Sequence, residues 1–169
     1  LSDISPISRF TELRVLNISN TAIVDLTPLK GFKYLTVFLA DVAKIADISP
    51  LSDSTGLEIL ILTCTQVDNS VFKTLKCFTE LRDLSLSYTR ISGDISNLSV
   101  LTNLKCLTLC ETDIDASSLL KLNTLKKLTR LSVDLECEWA KKDLTSMLPS
   151  LKNSALKDDS YNSLNNISI

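Results

Sequence analysis

The chain has 169 residues, 44% of them apolar but only 5% aromatic, with a formal net charge of −2 and no histidine. That length and apolar content suffice for one domain or one run of repeats, and they suit thin aliphatic layers better than a large aromatic core. The interspersed charge offers no basic stripe for a phosphate backbone. No apolar run reaches the roughly 18 residues of a membrane span, and the missing histidine removes His-based triads, metal ligands and general bases.

The opening LSDISPISRF reads as the second half of a repeating unit. Asp3-Ile4-Ser5-Pro6-Ile7 is matched by Asp25-Leu26-Thr27-Pro28-Leu29 and by Asp47-Ile48-Ser49-Pro50-Leu51. The sequence therefore starts in mid-unit, which points to a piece of a longer array. Complete units begin at Leu13, Leu35, Leu57, Leu81, Leu104 and Leu128, and a decayed one fills 151–169; the whole of 1–169 is expected to form one domain. With the opening leucine as place one, place four holds Leu16, Phe38, Leu60, Leu84, Leu107 and Leu131. Place six holds Ile18, Ala40, Leu62, Leu86, Leu109 and Val133. Place eleven holds Ile23, Ile45, Val67, Ile91 and Ile114, then Glu138. Three residues before each unit stand Phe10, Phe32, Ser54, Phe78, Leu101 and Leu125.

Alternation at places four and six puts both side chains on one face of a short strand. One such strand cannot bury that face alone, so the units must stack into a parallel sheet over a shared core. Place nine is Thr21, Ala43, Thr65, Thr89 and Thr112, whose hydroxyls can bond backbone where the strand turns inward. Ala43 lacks one, so an irregular turn is expected in the second unit. In the sixth, Glu136 and Glu138 fall where Thr and an aliphatic are due. One inserted residue near Leu135 repairs the register, placing Cys137 in the turn and Trp139 inward. The return segments are of two kinds. DLTPL and DISPL, with proline where no donor is needed, suit a 3₁₀ or extended path. Asp68 to Phe78, Asp115 to Leu128 and Asp143 to Leu151 begin with polar residues able to cap short helices, so the back should thicken toward the C-terminus.

The pattern LxxLxLxxTxI, clearest in Leu104 to Ile114 (LKCLTLCETDI) and continued as DISPL, is identified as a leucine-rich repeat. Its 22-residue form resembles that of internalins and of a nuclear regulatory subunit of protein phosphatase. Thr at place nine, with 22- and 24-residue units mixed, is also similar to leucine-rich repeat proteins of protozoan parasites. The resemblance implies an α/β right-handed solenoid, or horseshoe, with a parallel concave sheet and 3₁₀, extended and short helical segments behind it. It also implies a protein partner held on the concave sheet.

No catalytic motif is present, and no cofactor is implied. The three glycines form no phosphate-binding loop. Five cysteines, at 64, 77, 106, 110 and 137, are an odd count that points to reduced thiols in an intracellular protein; a cell-surface protein remains the alternative if a signal peptide lies outside this sequence. The outward places three and five are more informative. Val15, Val37, Leu39, Ile59 and Ile61 form an apolar patch over the first three units, with Val42, Cys64 and Tyr88 along its edge. The C-terminal half is polar, with Asp83, Lys105, Glu111, Arg130 and Asp134 on the face or its rim. The expected partner site is Val15, Val37, Leu39, Ile59, Ile61, Tyr88, Asp83 and Arg130. The expected function is a non-catalytic protein-interaction scaffold, with no nucleic acid, metal or cofactor. A recognition module of a phosphatase or ubiquitin-ligase complex and an extracellular adhesin or receptor fragment are the alternatives.

Overall fold

The computed structural model describes residues 1–133 of the chain. Each complete unit contributes one three-residue strand to a six-stranded parallel sheet: β1 (Val15–Asn17), β2 (Val37–Leu39), β3 (Ile59–Ile61), β4 (Asp83–Ser85), β6 (Cys106–Thr108) and β8 (Arg130–Ser132). The register is that of the repeat. Leu16, Phe38, Leu60, Leu84, Leu107 and Leu131 stand side by side across five strand pairs. A two-stranded ladder, β5 (Ser92–Gly93) with β7 (Asp113–Ile114), joins the turns after the strands. Its neighbouring bonds run from the Ala22 amide to the Leu1 carbonyl and from the Gln66 amide to the Ile45 carbonyl. Residues before Leu13 thus pack as the back half of a turn, as their sequence suggests.

The core is a stack of layers. Phe38, Leu60, Leu84, Leu107 and Leu131 at place four are at most 1% exposed, and Leu35, Leu57, Leu81, Leu104 and Leu128 at place one are fully buried. Each such side chain contributes about 1.5–3 kcal/mol. Ser54, the polar exception in the column of Phe32 and Phe78, is also fully buried; its hydroxyl donates to the Phe32 carbonyl at 2.7 Å, so its burial leaves no orphaned group. The place-nine threonines behave as their chemistry suggests. Thr21, Thr65, Thr89 and Thr112 each donate to the place-six carbonyl of their own turn at 2.6–2.7 Å. The irregular turn expected at Ala43 does not occur. There the Ala43 amide donates to the Ala40 carbonyl at 3.1 Å, and Val42 keeps the same φ as its equivalents, so backbone replaces hydroxyl without reshaping the turn.

Behind the sheet, Thr27–Leu29 and Ser49–Leu51 are 3₁₀ turns with proline early in them, as DLTPL and DISPL imply. The return after Asp68 contains α1 (Val71–Leu75), which buries Phe72 and Leu75. Among the described residues the expected thickening by helices stops there. Ser96–Val100 and the longer Ala116–Leu122 are 3₁₀ helices, the second capped by the Asp115 carboxylate accepting from the Ser117 amide. The tighter coil brings Leu119 and Leu122, three residues apart, onto one buried face. The expected slip near Leu135, the helical segment after Asp143 and the decayed repeat at 151–169 lie outside the described residues.

One column recurs in the six described return segments. Asp3, Asp25, Asp47, Asp68, Asp94 and Asp115 each accept a bond from the amide of a Ser or Thr two residues on. At four of them the bonds favour the ionised acid. Asp3, Asp25 and Asp68 lie below the usual carboxylate range, and Asp94, which also meets Lys121 at 2.8 Å, is lowered to about 2.

Two outcomes test this account. Replacing Leu84 with Ala should destabilise the fold by about 2–5 kcal/mol, read as a lower urea midpoint, because the layers above and below cannot close the gap. Asp3, Asp25, Asp68 and Asp94 bind fewer protons folded than unfolded, so their contribution is complete above about pH 4 and lost as pH falls toward 2. The thermal midpoint should therefore drop over that interval, and Asp94→Asn should flatten the drop.

Candidate functional site

Two outward rows define the open face of the sheet. Place three runs Val15, Val37, Ile59, Asp83, Cys106, Arg130, and place five runs Asn17, Leu39, Ile61, Ser85, Thr108, Ser132, each residue beside its neighbours in register. The face therefore divides, as the sequence suggests, into an aliphatic half over β1 to β3 and a polar half over β4 to β8. On the aliphatic half Val15 is 40% exposed, while Val37, Leu39 and Ile59 are half-buried. Ile61 departs from expectation. It lies in the outward row but is only 2% exposed, because the middle of the face is crowded: Thr63, Ser85, Ser87 and Thr108 around it are buried too. Ile61 thus belongs to the packed floor of the face and offers no contact surface.

The polar half is internally satisfied. Ser85 Oγ lies 2.8 Å from Thr63 Oγ1 and accepts from Thr108 Oγ1 at 2.7 Å, and Ser87 Oγ accepts from the Cys110 amide at 3.0 Å. These bonds run from turn to turn and tie the face together. Asp83 and Arg130 stand two strands apart and meet at 3.5 Å over the intervening Cys106, which is buried beneath them. Burial raises the Asp83 carboxyl above its ordinary value, against the pull of Arg130, Lys105 and Arg82. Burial also raises the thiols of Cys106 and Cys64, the latter helped by the Asp41 carboxylate. Both stay protonated near neutral pH and are weak nucleophiles. Among the described residues, no group of three or more Cys, Asp or Glu side chains is placed to hold a metal ion. No helix there is long and apolar enough to cross a membrane.

The edge of the face holds a feature that sequence reasoning missed. Place eight, occupied by Asn20, Val42, Cys64, Tyr88 and Glu111, has φ between 53 and 58° in every described turn. The reason is the ladder. The place-eight amides of Asn20, Val42, Cys64 and Tyr88 donate to the place-seven carbonyl of the next turn at 2.7–3.0 Å, while place nine folds back to place six. Only a left-handed residue between them serves both. Asn takes that conformation readily; the β-branched Val42 takes it at a cost in strain. Only Asn20 carried a signal for it. Val42 and Tyr88 are 43% and 38% exposed, so this row sets two apolar side chains beside the aliphatic half in a backbone geometry that resists rotation. Asp134 lies outside the described residues.

No family model and no curated protein matches the chain. Solved structures do. Internalin C2 of Listeria monocytogenes is 31% identical, with a TM-score of 0.73 over 79% of this chain and 57% of its own. An internalin (inlF) of the same species is also 31% identical, with a TM-score of 0.67 over 89% of this chain and 49% of its own. The plant peptide hormone receptor RGFR1, in complex with RGF2, is 18% identical with a TM-score of 0.64, covering 78% of this chain and 22% of its own, and is alike in fold alone. The chain is an internalin-like leucine-rich repeat solenoid that spans about half the length of the two internalins.

Strain at place eight has a measurable cost. Val42→Gly should stabilise the chain by about 1 kcal/mol in urea unfolding, since relief of the left-handed valine outweighs the entropy that glycine brings.

Proposed function

We propose that this internalin-like solenoid is a non-catalytic protein-binding module that holds its partner against the concave face of the sheet. Val15, Val37, Leu39 and Ile59 supply the apolar contact, Val42 and Tyr88 its edge, and Asp83 and Arg130 a polar flank. One observation carries the reading. Apart from Asn17, places three and five hold aliphatics in the first three turns but Asp83, Ser85, Cys106, Thr108, Arg130 and Ser132 in the later ones, on the same backbone and in the same register. The fold therefore does not require apolar residues there. β-Propensity favours Val and Ile in strands, but the later strands form without them. A contiguous, partly exposed aliphatic surface that the fold does not need is the mark of a contact made with something else. The half-buried side chains are already ordered by their neighbours, so binding would cost little further side-chain entropy.

The polar flank complements this. Arg130 and Asp83 are held by each other and by neighbouring charges, so they offer oriented hydrogen-bonding groups at the boundary of the apolar area, where interfaces carry their polar rim. A partly exposed pair of this kind adds little stability by itself. Its use lies in orientation and in discrimination between partners.

The double variant Val37→Asp with Leu39→Asp should weaken capture of the partner by at least about tenfold while leaving the circular dichroism spectrum unchanged. Lys73→Glu, on α1 at the back, should bind as the unaltered chain does. Capture at full affinity by the double variant would remove the concave face as the site.

A further inference from the structure

The edge of the open face at which the strands begin changes sign along the stack. It is formed by the residue before each opening leucine together with places two and three. In the first three turns its charges are Glu12, Arg14 and Glu58; in the next three they are Glu80, Arg82, Asp83, Lys105, Lys127 and Arg130. The later edge thus has four cations for two carboxylates, on a chain whose formal net charge is −2. Among the described residues every charge on this edge from β6 onward is positive, while Glu111, Asp113 and Asp115 of the same turn all lie past the end of β6. The cations are incompletely paired. Arg82 meets Glu58 at 3.2 Å and Arg130 meets Asp83 at 3.5 Å, both longer than the 2.8 Å between Lys121 and Asp94. Burial holds the Asp83 carboxyl above its ordinary value against the pull of Arg130, Lys105 and Arg82, so all three cations stand around it. Lys127 Nζ reaches back only to the neutral amide oxygen of Asn103, at 2.6 Å. Lys105 is exposed in the middle of the group: its amide donates to the Arg82 carbonyl and its carbonyl accepts from the Arg130 amide, but its ammonium is in no ion pair among the described residues.

We propose that this later edge docks the carboxylates of an acidic protein segment whose neighbouring aliphatic side chains lie on Val37, Leu39 and Ile59. The inference rests on the concave-face reading and adds the chemistry of the partner. Charge complementarity names the occupant: a carboxylate takes the donors that Lys105 and Arg130 leave open, beside an aliphatic surface on the same sheet. A nucleic acid fits less well. Glu58, Glu80 and Asp83 interrupt the positive row, and no aromatic side chain stands on the later edge for a base to stack on. The spacing follows from the sheet. Lys105, at the start of β6, lies three strands from Val37 on β2, about 14 Å at about 4.8 Å per strand. An extended chain covers that distance in about four residues.

A labelled peptide ILVSSGEEE, with its aliphatic and acidic blocks at that separation, tests this on the full chain, beside the reversed EEEGSSVLI and the uncharged control ILVSSGSSS. By fluorescence anisotropy the better-oriented acidic peptide should bind at least about tenfold more tightly than the control, with a margin that shrinks as salt is added. Lys105→Glu with Lys127→Glu, both at exposed side chains, should erase the margin and leave both the control peptide's affinity and the circular dichroism spectrum unchanged. Equal binding of acidic and control peptides, or none, overturns the proposal, and so does a margin that survives the double variant. An oligonucleotide of equal charge that competes as well as the acidic peptide overturns it too, because the edge is then a general polyanion site. The concave-face reading stands or falls separately, by partner capture on the Val37 and Leu39 variant.

Discussion

The constraint on which this molecule depends is that no turn of it can satisfy itself. A three-residue strand has one apolar edge to bury and a set of amides and carbonyls pointing sideways, and both needs are met only by the turn on either side. The parallel ladder and the leucine layers therefore form together, and the bonds that join turn to turn are the same ones that space the layers. Ser54 illustrates the strictness of the rule. A hydroxyl is admitted to the centre of the stack because the carbonyl of the turn before accepts its hydrogen bond.

That constraint reaches the surface through place eight. The amide there must serve the next turn while the following residue folds back, and the backbone is driven into the left-handed region whatever side chain the sequence supplies. Asn, Val, Cys, Tyr and Glu all occupy it. The result is a row of side chains along the edge of the open face whose direction is set by the scaffold. Rigid presentation of this kind suits recognition, where freedom lost on binding is a cost. The same face shows how a scaffold separates roles: places four and six are committed to the core in every turn, while places three and five change from valine and leucine to serine, aspartate and arginine without disturbing the register.

The two halves of the open face also differ in how they are held. The polar half is bonded to itself from turn to turn through Thr63, Ser85 and Thr108, and its charges answer one another across Cys106. The aliphatic half has its own turn-to-turn bonds between Ser19 and Asp41, but Val15, Val37, Leu39 and Ile59 above it keep part of their surface in water. The two halves therefore differ in surface chemistry, aliphatic over β1 to β3 and polar over β4 to β8, on one continuous register.

Much of this was legible in the sequence. The period, the inward columns, the proline-bearing 3₁₀ turns and the threonine bonds at place nine follow from residue type and spacing, because each depends on chemistry local to one unit. Tertiary structure decided what depends on neighbouring units. Ile61 sits in an outward row by sequence but is closed over by the crowding of adjacent strands. Ala43 keeps a regular turn because its amide substitutes for the missing hydroxyl. The segment after Asp115 coils as 3₁₀ instead of α, with Leu119 and Leu122 buried on one face. The left-handed row left no trace in residue type beyond Asn20, since the ladder imposes that conformation from outside the residue. Sequence determined which side chains face inward, because alternation and period are properties of the chain itself. Only the stack decided which outward side chains remain exposed, because exposure is a property of the neighbours.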